Sequence, residues 1–338
     1  MKFCFNGGGF HELTQTLKEM GHVVGTAVPH WNSYTHSTAA RKQYNVLLKT
    51  AMQKAQPDVY VCTKGFRDGP VVFPETTEWI QKNVGTTVFW SQDDPFFTPT
   101  FIAHQLYRGY TLALSCSIGS FDSYKKHGVD PYLFWPAWDS TIFSGIKPVA
   151  ERDKTDLIFV GTPYTCTNIP RKDIMLWALQ SGLSIEIYGS PNWVTNKAIT
   201  RHGKPFIQGD SRLAPYYKGV WKTWATLPSV FCRSRINVSN HVQQAPMYLN
   251  DRMFLTTGPG NCLVSDQNPG IDKVFKHNKE IVFYKDWATF KHRTMYYLKN
   301  LHSRNQICKN MRKKILSEHT YKCRARQLVE ILNKYGLK

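Results

Sequence analysis

One segment combines a predicted helix start with a basic residue, a combination that suits phosphate binding. Residues 236–266 have the pattern of strand, loop, helix, turn and strand. Pro246 suits the first helical position, where its missing N–H costs nothing, and Ala245 before it offers no capping side chain. Free amides and the helix dipole would then favour an anion such as a diphosphate, with Arg252 further along the helix. An ordinary α/β crossover with Arg252 in a salt bridge is the competing interpretation.

Two adjacent carboxylates and one histidine are the candidate catalytic bases. Asp93 and Asp94 follow the apolar strand at residues 86–90 and stand among aromatic residues. Apolar neighbours raise the pKa of a carboxylate toward that of a useful base. Asp94 precedes a proline and also suits a helix cap, so Asp93 is the better candidate. His11, after a run of three glycines, is the third. Purely structural roles are the alternative for all three residues.

Basic and aromatic side chains alternate in residues 197–235. The basic residues are Lys197, Arg201, Lys204, Arg212, Lys218, Lys222, Arg233 and Arg235, and the aromatic ones are Phe206, Tyr216, Tyr217, Trp221, Trp224 and Phe231. Cations for phosphates and rings for bases are typical of sites that hold unpaired nucleotides. The residues predicted to contact nucleic acid are Lys218, Trp221, Lys222 and Trp224. Lys64, where an earlier strand ends, is a further candidate. The alternative is that the rings are core and the charges are solvated.

The segments around these candidate site residues alternate between predicted strands and predicted helices, the pattern of parallel α/β sheets. Residues 2–20 read as strand, glycine-rich loop and helix, the opening of a Rossmann-like half, although the glycine spacing is not that of a dinucleotide site. Residues 156–162 and 183–189 are two further strands, each ended by a glycine turn. Strands that alternate with helices predict an α/β fold. We place a domain boundary at residues 144–153, where the charge also changes.

An arginine motif and several C-terminal segments carry a family resemblance. Arg252-x-Phe254 is followed by a turn ending in Gly260, an apolar strand and Asp266. The further segments are Glu280–Asp286, Tyr296–Lys299, and His319–Tyr321 with Arg324. Together they resemble the CgeB-like (spore-maturation type) glycosyltransferases over most of residues 115–335. No single motif is specific for this family, but the whole set of motifs is. One departure is Leu255, where the family has a glutamate expected to hold the donor ribose, because leucine cannot accept a hydrogen bond.

The resemblance implies the GT-B architecture, an α/β fold of two Rossmann-like domains facing a central cleft. The implied domains are an acceptor-side domain at 1–145, a nucleotide-sugar donor domain at 150–318 and a C-terminal helix at 319–338 that packs back on the first domain. The residues expected to bind the donor are Gly161, Thr162, Arg171, Tyr188, Gly189, Asn240, Asp251, Arg252 and Asp266. With leucine at position 255, the candidates for holding the ribose are Asn240, Asp251 and Asp266.

The composition suits a globular protein with a polyanionic partner. The chain has 338 residues, of which 42% are hydrophobic, and no apolar run approaches the ~20 residues of a membrane span. Its eight cysteines form no Cys-x-x-Cys pair and no signal-peptide layout opens it, so we expect no zinc site and a reducing cytoplasm. Residues 1–145 carry 12 basic and 11 acidic side chains, and residues 146–338 carry 31 and 13. The net charge of +19 is therefore concentrated in the second half, which favours nucleic acid first and an anionic membrane surface second. A basic surface that serves only solubility is the alternative.

The resemblance implies a glycosyltransferase that uses a nucleotide-diphosphate sugar, a UDP-sugar by expectation, as co-substrate. No bound cofactor, metal or obligate protein partner is expected. From the charge, the predicted acceptor is a hydroxymethylated pyrimidine in DNA, as for a virus-encoded (phage) enzyme in its host's cytoplasm. The alternatives are a protein or cell-surface glycan acceptor, or a catalytically inactive nucleic-acid-binding relative, which Leu255 motivates.

Overall fold

The computed structural model divides the chain into two compact units. It describes residues 1–6, 11–25, 31–63, 70–143, 145–146, 149–201, 203–220, 224–242 and 244–337. The first unit comprises Met1–Thr141 with Thr320–Lys338, and the second comprises Ile142–His319. Each unit contains its own parallel sheet and its own core.

The first unit is built on a six-stranded parallel sheet. Its strands are β1 (Lys2–Asn6), β2 (Val23–Gly25), β3 (Val59–Thr63), β4 (Thr86–Ser91), β5 (Leu112–Ser115) and β6 (Asp130–Leu133). Its helices before the second unit are α1 (His11–Glu19), α2 (Thr38–Ala55), α3 (Pro74–Asn83), α4 (Thr98–Ala103) and α5 (Phe121–Lys125). The strand order is β2-β1-β3-β4-β5-β6. The central strands β1, β3 and β4 are almost wholly buried, as expected of strands covered on both faces.

Local sequence signals set the limits of these helices. The hydroxyl of Ser37 accepts a hydrogen bond from the backbone N–H of Ala40 at 3.0 Å and so caps α2. That helix ends where Gln56 adopts a left-handed backbone. Pro74 takes the first position of α3, the place where a proline costs no hydrogen bond.

The second unit is built on a five-stranded parallel sheet and a short antiparallel hairpin. Its strands are β7 (Thr155–Gly161), β8 (Ile185–Gly189), β9 (Ile199–Arg201), β10 (Lys204–Ile207), β11 (Ser234–Ser239), β12 (Leu263–Asp266) and β13 (Val282–Tyr284). Its helices are α6 (Arg171–Gln180), α7 (Leu227–Phe231), α8 (Asp251–Thr257), α9 (Trp287–Lys299) and α10 (Leu301–Glu318). The sheet order is β13-β12-β11-β7-β8, and β9 pairs with β10. Ligand sites in such sheets lie at the carboxyl ends of the strands.

The C-terminal helix, α11 (Tyr321–Asn333), completes the first unit. The hydroxyl of Thr320 caps it by accepting from the N–H of Cys323, and the N–H of Tyr321 donates to the carboxylate of Glu12 at 3.1 Å. Its apolar face joins the core that α1 and the sheet form, through Ala325, Leu328, Ile331 and Leu332. The expectation that this helix packs back on the N-terminal domain is confirmed.

The helix expected to begin at Pro246 begins at Asp251 instead, so that prediction is wrong. The side chain of Asn268 accepts from the N–H of Ala245 at 3.2 Å and donates to the carbonyl of Tyr248 at 2.9 Å. Met247 between them has a φ of 57°, outside the range of a right-handed helix. These contacts hold residues 245–248 as a loop, so the helix N-terminus that was expected at Pro246 lies at Asp251.

Three sequence expectations concerned membranes, metals and cysteines. Among the helices described, none combines the length and the apolar character that crossing a membrane requires. The described ranges contain no cluster of three or more His, Cys, Asp or Glu side chains suited to a metal ion. All eight cysteines are free thiols. Cys4, Cys62 and Cys116 are buried, where a thiol packs as a small apolar side chain.

Candidate functional site

Two neighbouring strands of the second unit end in paired glycines at the carboxyl edge of the sheet. Gly161 ends β7, Gly189 ends β8, and the two residues are partners in the parallel register. Their φ angles are +146° and +133°, which side-chain-bearing residues rarely adopt. A Cβ on Gly189 would lie 2.0 Å from the carbonyl oxygen of Gly161, and a Cβ on Gly161 would lie 2.8 Å from Nη2 of Arg252. Glycine is therefore needed at both positions for this close approach.

Arg171 is the first of two arginines beside these turns. It begins α6 and is only 3% exposed. Its Nη1 donates to the carbonyl of Thr162 at 3.0 Å, and its Nη2 donates to the carbonyl of Asn240. The guanidinium carbon lies 5.1 Å from the ring centroid of Tyr164. Neutral carbonyls and rings orient the group, and the nearby carboxylate of Asp266 acts on it electrostatically without forming a salt bridge.

Arg252 lies against the same aromatic ring as Arg171. The guanidinium carbons of Arg252 and Arg171 lie 5.2 and 5.5 Å from the ring centroid of Phe159. Burial lowers the pKa of both arginines, and the neighbouring charge of Arg252 contributes to a pKa of about 9 for Arg171. The two groups remain charged at neutral pH, at the cost of holding two like charges together.

The arginine pair lacks the partners that buried cations normally have. Within the described ranges, neither Arg171 nor Arg252 forms a salt bridge. Nε of Arg171 and Nη1 of Arg252 are buried and find no hydrogen-bond partner there either. Burying a charge without a partner is costly. The arrangement is therefore complementary to an anion with several acceptor oxygens, such as a diphosphate.

A buried histidine–aspartate pair stands next to the arginines, and sequence reasoning missed it. His241 follows β11, and Asp266 ends the neighbouring parallel strand β12. The carboxylate of Asp266 accepts from the N–H of His241 at 3.0 and 3.1 Å and lies 2.6 Å from its Nδ1. Nε2 of His241 is buried without a partner among the described residues. The pair thus leaves one ring nitrogen available to a ligand.

The structure also narrows the candidates for holding a ribose. Leu255 is 1% exposed and lies in the interior. Asn240 is fully buried, with its amide nitrogen bonded to the carbonyl of Ile169 and the hydroxyl of Tyr284. Both oxygens of Asp266 accept from His241, as described above. Asp251, at the start of α8, is partly exposed, so it is the ribose candidate that a ligand can reach most easily.

Tyr188, another predicted donor residue, belongs to a local polar network. Its hydroxyl donates to the carboxylate of Glu186 at 2.8 Å and accepts from Nη1 of Arg233 at 2.9 Å. Burial and the Glu186 carboxylate raise the pKa of Tyr188 to about 12. The structure therefore places the side chain of Tyr188 against Glu186 and Arg233, while Gly189 after it lies at the edge of the sheet.

The two carboxylates of the first unit have contrasting surroundings. Asp94 is fully buried, and its carboxylate accepts from the hydroxyls of Ser91, Thr98 and Tyr124 at 2.8, 3.0 and 2.7 Å. Burial raises its pKa, against the effect of these three bonds. The helix-cap role considered for Asp94 is wrong, because α4 begins only at Thr98. Asp93 is partly exposed just after β4, so a substrate can reach it more easily than Asp94.

His11, the third candidate base, is exposed at the start of α1. Its Nδ1 lies 3.1 Å from the hydroxyl oxygen of Thr141. The glycines that precede it lie outside the described residues. In the strand order, β3 separates β1 from β4, so His11 and Asp93 follow strands of the same sheet and lie at its carboxyl edge.

The segment at residues 197–235 supplies both surface and core. Lys218 of this segment is exposed. The described residues do not include Trp221, Lys222 or the side chain of Trp224, nor Lys64 of the first unit. Three arginines of the segment form ion pairs: Arg212 with Asp210, Arg233 with Glu186, and Arg235 with Glu151 and Asp156. Phe231 is buried, and the hydroxyl of Tyr217 donates to the carbonyl of Gly189 at 2.8 Å. The described segment thus contributes a ring to the core, whereas three of its arginines are ion-paired and not simply solvated as the alternative interpretation expected.

Replacing Gly161 with alanine should disturb the arginine pair directly. The new Cβ would meet Nη2 of Arg252 at 2.8 Å and would occupy an unfavourable φ. We expect nucleoside-diphosphate affinity, measured by calorimetry, to fall at least tenfold. Gly182→Ala is the matched control, because Gly182 has a φ of +73° and open space at its Cβ. It should lose stability without losing affinity, and equal affinity losses in both variants would contradict the assignment.

A protein-family model matches part of the chain. Residues 171–330 match the family described as "Glycosyl transferase-like". Both arginines and the histidine–aspartate pair lie within the matched residues. No curated protein matches the chain in sequence.

Solved structures resemble the chain over its whole length. A glycosyltransferase from Rickettsia africae has a TM-score of 0.60 at 10% identity, covering 98% of both chains. HepE from Anabaena, solved in complex with UDP-glucose, has a TM-score of 0.62 at 9% identity, covering 99% of this chain and 100% of its own. A UDP-forming α,α-trehalose-phosphate synthase from Burkholderia xenovorans has a TM-score of 0.62 at 12% identity, covering 100% and 99%. These likenesses show that the chain has the GT-B fold, with two Rossmann-like halves.

Proposed function

We propose that this protein is a glycosyltransferase that moves a sugar from a nucleotide-diphosphate sugar to an acceptor hydroxyl. One observation carries the proposal: Arg171 and Arg252 lie against one ring at the carboxyl edge of a Rossmann-like sheet, and neither forms a salt bridge with a described residue. A diphosphate supplies the negative charge and the acceptor oxygens that this pair lacks. The family match over residues 171–330 supports the same class of enzyme.

The proposed reaction forms a bond from the acceptor oxygen to the anomeric carbon and breaks the bond from that carbon to the diphosphate. Negative charge grows on the departing diphosphate, and oriented cations stabilise such charge in the transition state. Arg171 and Arg252 would act in this way without having to reorganise. An inverting reaction also needs a base for the acceptor proton, for which we propose Asp93. A retaining reaction needs no such base.

We further propose a UDP-hexose as the donor, with no bound cofactor. The Anabaena structure in complex with UDP-glucose and the UDP-forming synthase support this choice at the level of a shared fold. Asp251 is our candidate for the ribose hydroxyls, because it precedes Arg252 and is partly exposed. The CgeB-like subtype and a viral origin rest on the sequence resemblance alone.

For the acceptor we propose a hydroxymethylated pyrimidine in DNA, and its support is the charge of the chain. Residues 142–319 carry 26 basic and 12 acidic side chains, many more cations than one nucleotide sugar requires. A protein or glycan acceptor is the rival. The interior position of Leu255 favours a second candidate function, a catalytically inactive relative that binds nucleic acid.

A ligand screen by thermal unfolding tests the proposal. A ligand at 100 times its Kd adds about 2.7 kcal/mol to the free energy of unfolding, or about 5–10 °C for a domain of this size. We expect UDP and UDP-glucose to give such a shift, and UDP release to rise when hydroxymethylated DNA is added. Stabilisation without turnover on any acceptor would favour the inactive relative. Failure of every nucleoside diphosphate to stabilise the protein would refute the proposal.

A further inference from the structure

A wide groove lies between α9 and α10 in the second unit, and the reaction described above does not use it. Its volume is about 820 Å³, and it is lined by tyrosines, imidazoles, amides and cations. The principal lining residues are Lys279, His292, Arg293, Tyr296, His302 and Gln306. The ring of Tyr296 is 44% exposed. No carboxylate is among the described residues that line the groove.

The groove continues into two further hollows beside α10, and the cations along them come from α9, α10 and the segment before β13. We call these cations the basic track. The track consists of Lys276, Lys279, Arg293, Lys309, Arg312 and Lys313. Lys279 and Asn310 line both the groove and a second hollow, and Gln306 and Asn310 also line a third beside Lys309 and Lys313. Since α10 has 18 residues, it is about 27 Å long, the length of about eight DNA base pairs.

Local bonds occupy the few carboxylates near the basic track. Residues 276–319 carry eleven basic and three acidic side chains. Glu280 accepts from the N–H of Lys276 at 2.8 Å, and Asp286 caps α9. Glu318 pairs with Lys314, which is not part of the track. None of the six track cations forms a salt bridge with a described residue. Asp286 interacts electrostatically with Arg293 alone among them, so most of the charge of the track remains available to a partner.

The groove shares no lining residue with the arginine pair, although Ala288 and Thr289 at the start of α9 line its other end. Lys279 precedes β13 and therefore lies near the amino end of that strand, whereas Arg252 lies at Gly161, where β7 ends. All the strands of this sheet are parallel, so their amino and carboxyl ends form opposite edges. A polyanion on the track would not compete with a diphosphate at the arginines.

We propose that the basic track and its groove form a nucleic-acid docking surface, with phosphates along α10 and an unpaired base against Tyr296. The inference deepens the proposed DNA acceptor and rests on that part of the proposed function. Uncompensated cations complement a phosphodiester backbone, and an exposed ring beside amide side chains suits a base. A bilayer would offer a flat surface to a concave groove, so we favour nucleic acid over an anionic membrane.

Binding of a 20-base-pair duplex at several salt concentrations tests the proposal. Each lost phosphate contact flattens the slope of log K against log salt by about 0.9. The double variant Lys309→Gln, Lys313→Gln should therefore flatten the slope by about 1.8. The matched control Lys125→Gln, Lys126→Gln changes two exposed lysines at the C-terminal end of α5 in the first unit and should leave the slope unchanged. Equal changes in both variants would overturn the proposed location.

Two further measurements complete the test. Tyr296→Ala keeps every charge, and it should weaken binding of a 16-nucleotide single strand about tenfold through lost stacking. Unchanged binding would show that no base stacks on Tyr296 in the groove. If wild-type protein binds vesicles containing phosphatidylserine but no nucleic acid at low salt, the surface faces a membrane and the proposal is wrong. UDP binding by the same variants keeps the two proposals apart, because the docking variants should bind UDP normally even if they bind no DNA.

Discussion

Replacing Arg252 with methionine is expected to weaken UDP binding by about 10–100-fold while the protein stays folded. A charge-assisted bond to a phosphate contributes about 1.5–3 kcal/mol. Methionine retains most of the apolar contact with Phe159 and removes the positive charge. Losing Arg252 removes its repulsion of Arg171 and also its attraction to Asp251 and Asp266, so the unliganded variant should unfold near the wild-type temperature. Calorimetric titration with UDP and a thermal scan of the free protein measure the two effects.

Arg212→Met is the matched control for this experiment. Arg212 pairs with Asp210 on the surface of the same unit, so its loss removes a charge and an exposed ion pair but no ligand contact. UDP affinity should stay within twofold of the wild type. If Arg212→Met and Arg252→Met weaken UDP binding equally, the effect is general electrostatics and the arginine pair is not the donor site.

Replacing Asp93 with asparagine is expected to lower turnover by about 10²–10⁴-fold and to leave UDP affinity unchanged. Loss of a general base has this magnitude, and asparagine keeps the size of the side chain while removing its basicity. The measurement is the rate of sugar transfer under saturating donor, together with UDP titration. Normal turnover would show that Asp93 is not the general base. It would favour either His11 as the base or a retaining reaction.

Two neighbouring variants make that experiment specific. Asp94→Asn should act mainly on stability, because it disturbs a buried carboxylate that accepts from three hydroxyls. His11→Gln should leave turnover near normal if Asp93 is the base. If His11→Gln loses turnover and Asp93→Asn does not, His11 is the general base and Asp93 is not.

The sequence predicted the architecture well because its signals were local. Buried apolar strands that end in glycine, such as those ending at Gly161 and Gly189, indicate parallel α/β sheets without any long-range information. The cap at Thr320 was equally readable, and α11 begins directly after it. The helix start at Pro246 was wrong because the competing contacts come from Asn268 and Pro269, about 20 residues later. Such contacts leave no trace in the pattern around the proline.

The candidate site was only partly predictable, because it also depends on contacts between residues that are distant in the sequence. Arg252 stood out through its motif, but its closeness to Arg171 depends on where β7 turns into α6. The His241–Asp266 pair did leave a signal that was missed. Ser239 and Ser265 are partners in neighbouring parallel strands, so the polar residues just beyond them were bound to meet at one edge. The pair is predictable when the polar residues that follow neighbouring parallel strands are compared with each other.

The place of α11 in the first unit has a consequence for how the protein is made. The core that contains Leu13 and Leu17 also contains Leu328 and Leu332, so a ribosome must pass residue 332 before the first unit can close. The second unit, at residues 142–319, has all of its strands and helices available earlier. During synthesis the first unit to begin would thus be the last to finish. Until then, its nascent chain carries an exposed apolar face that chaperones would recognise.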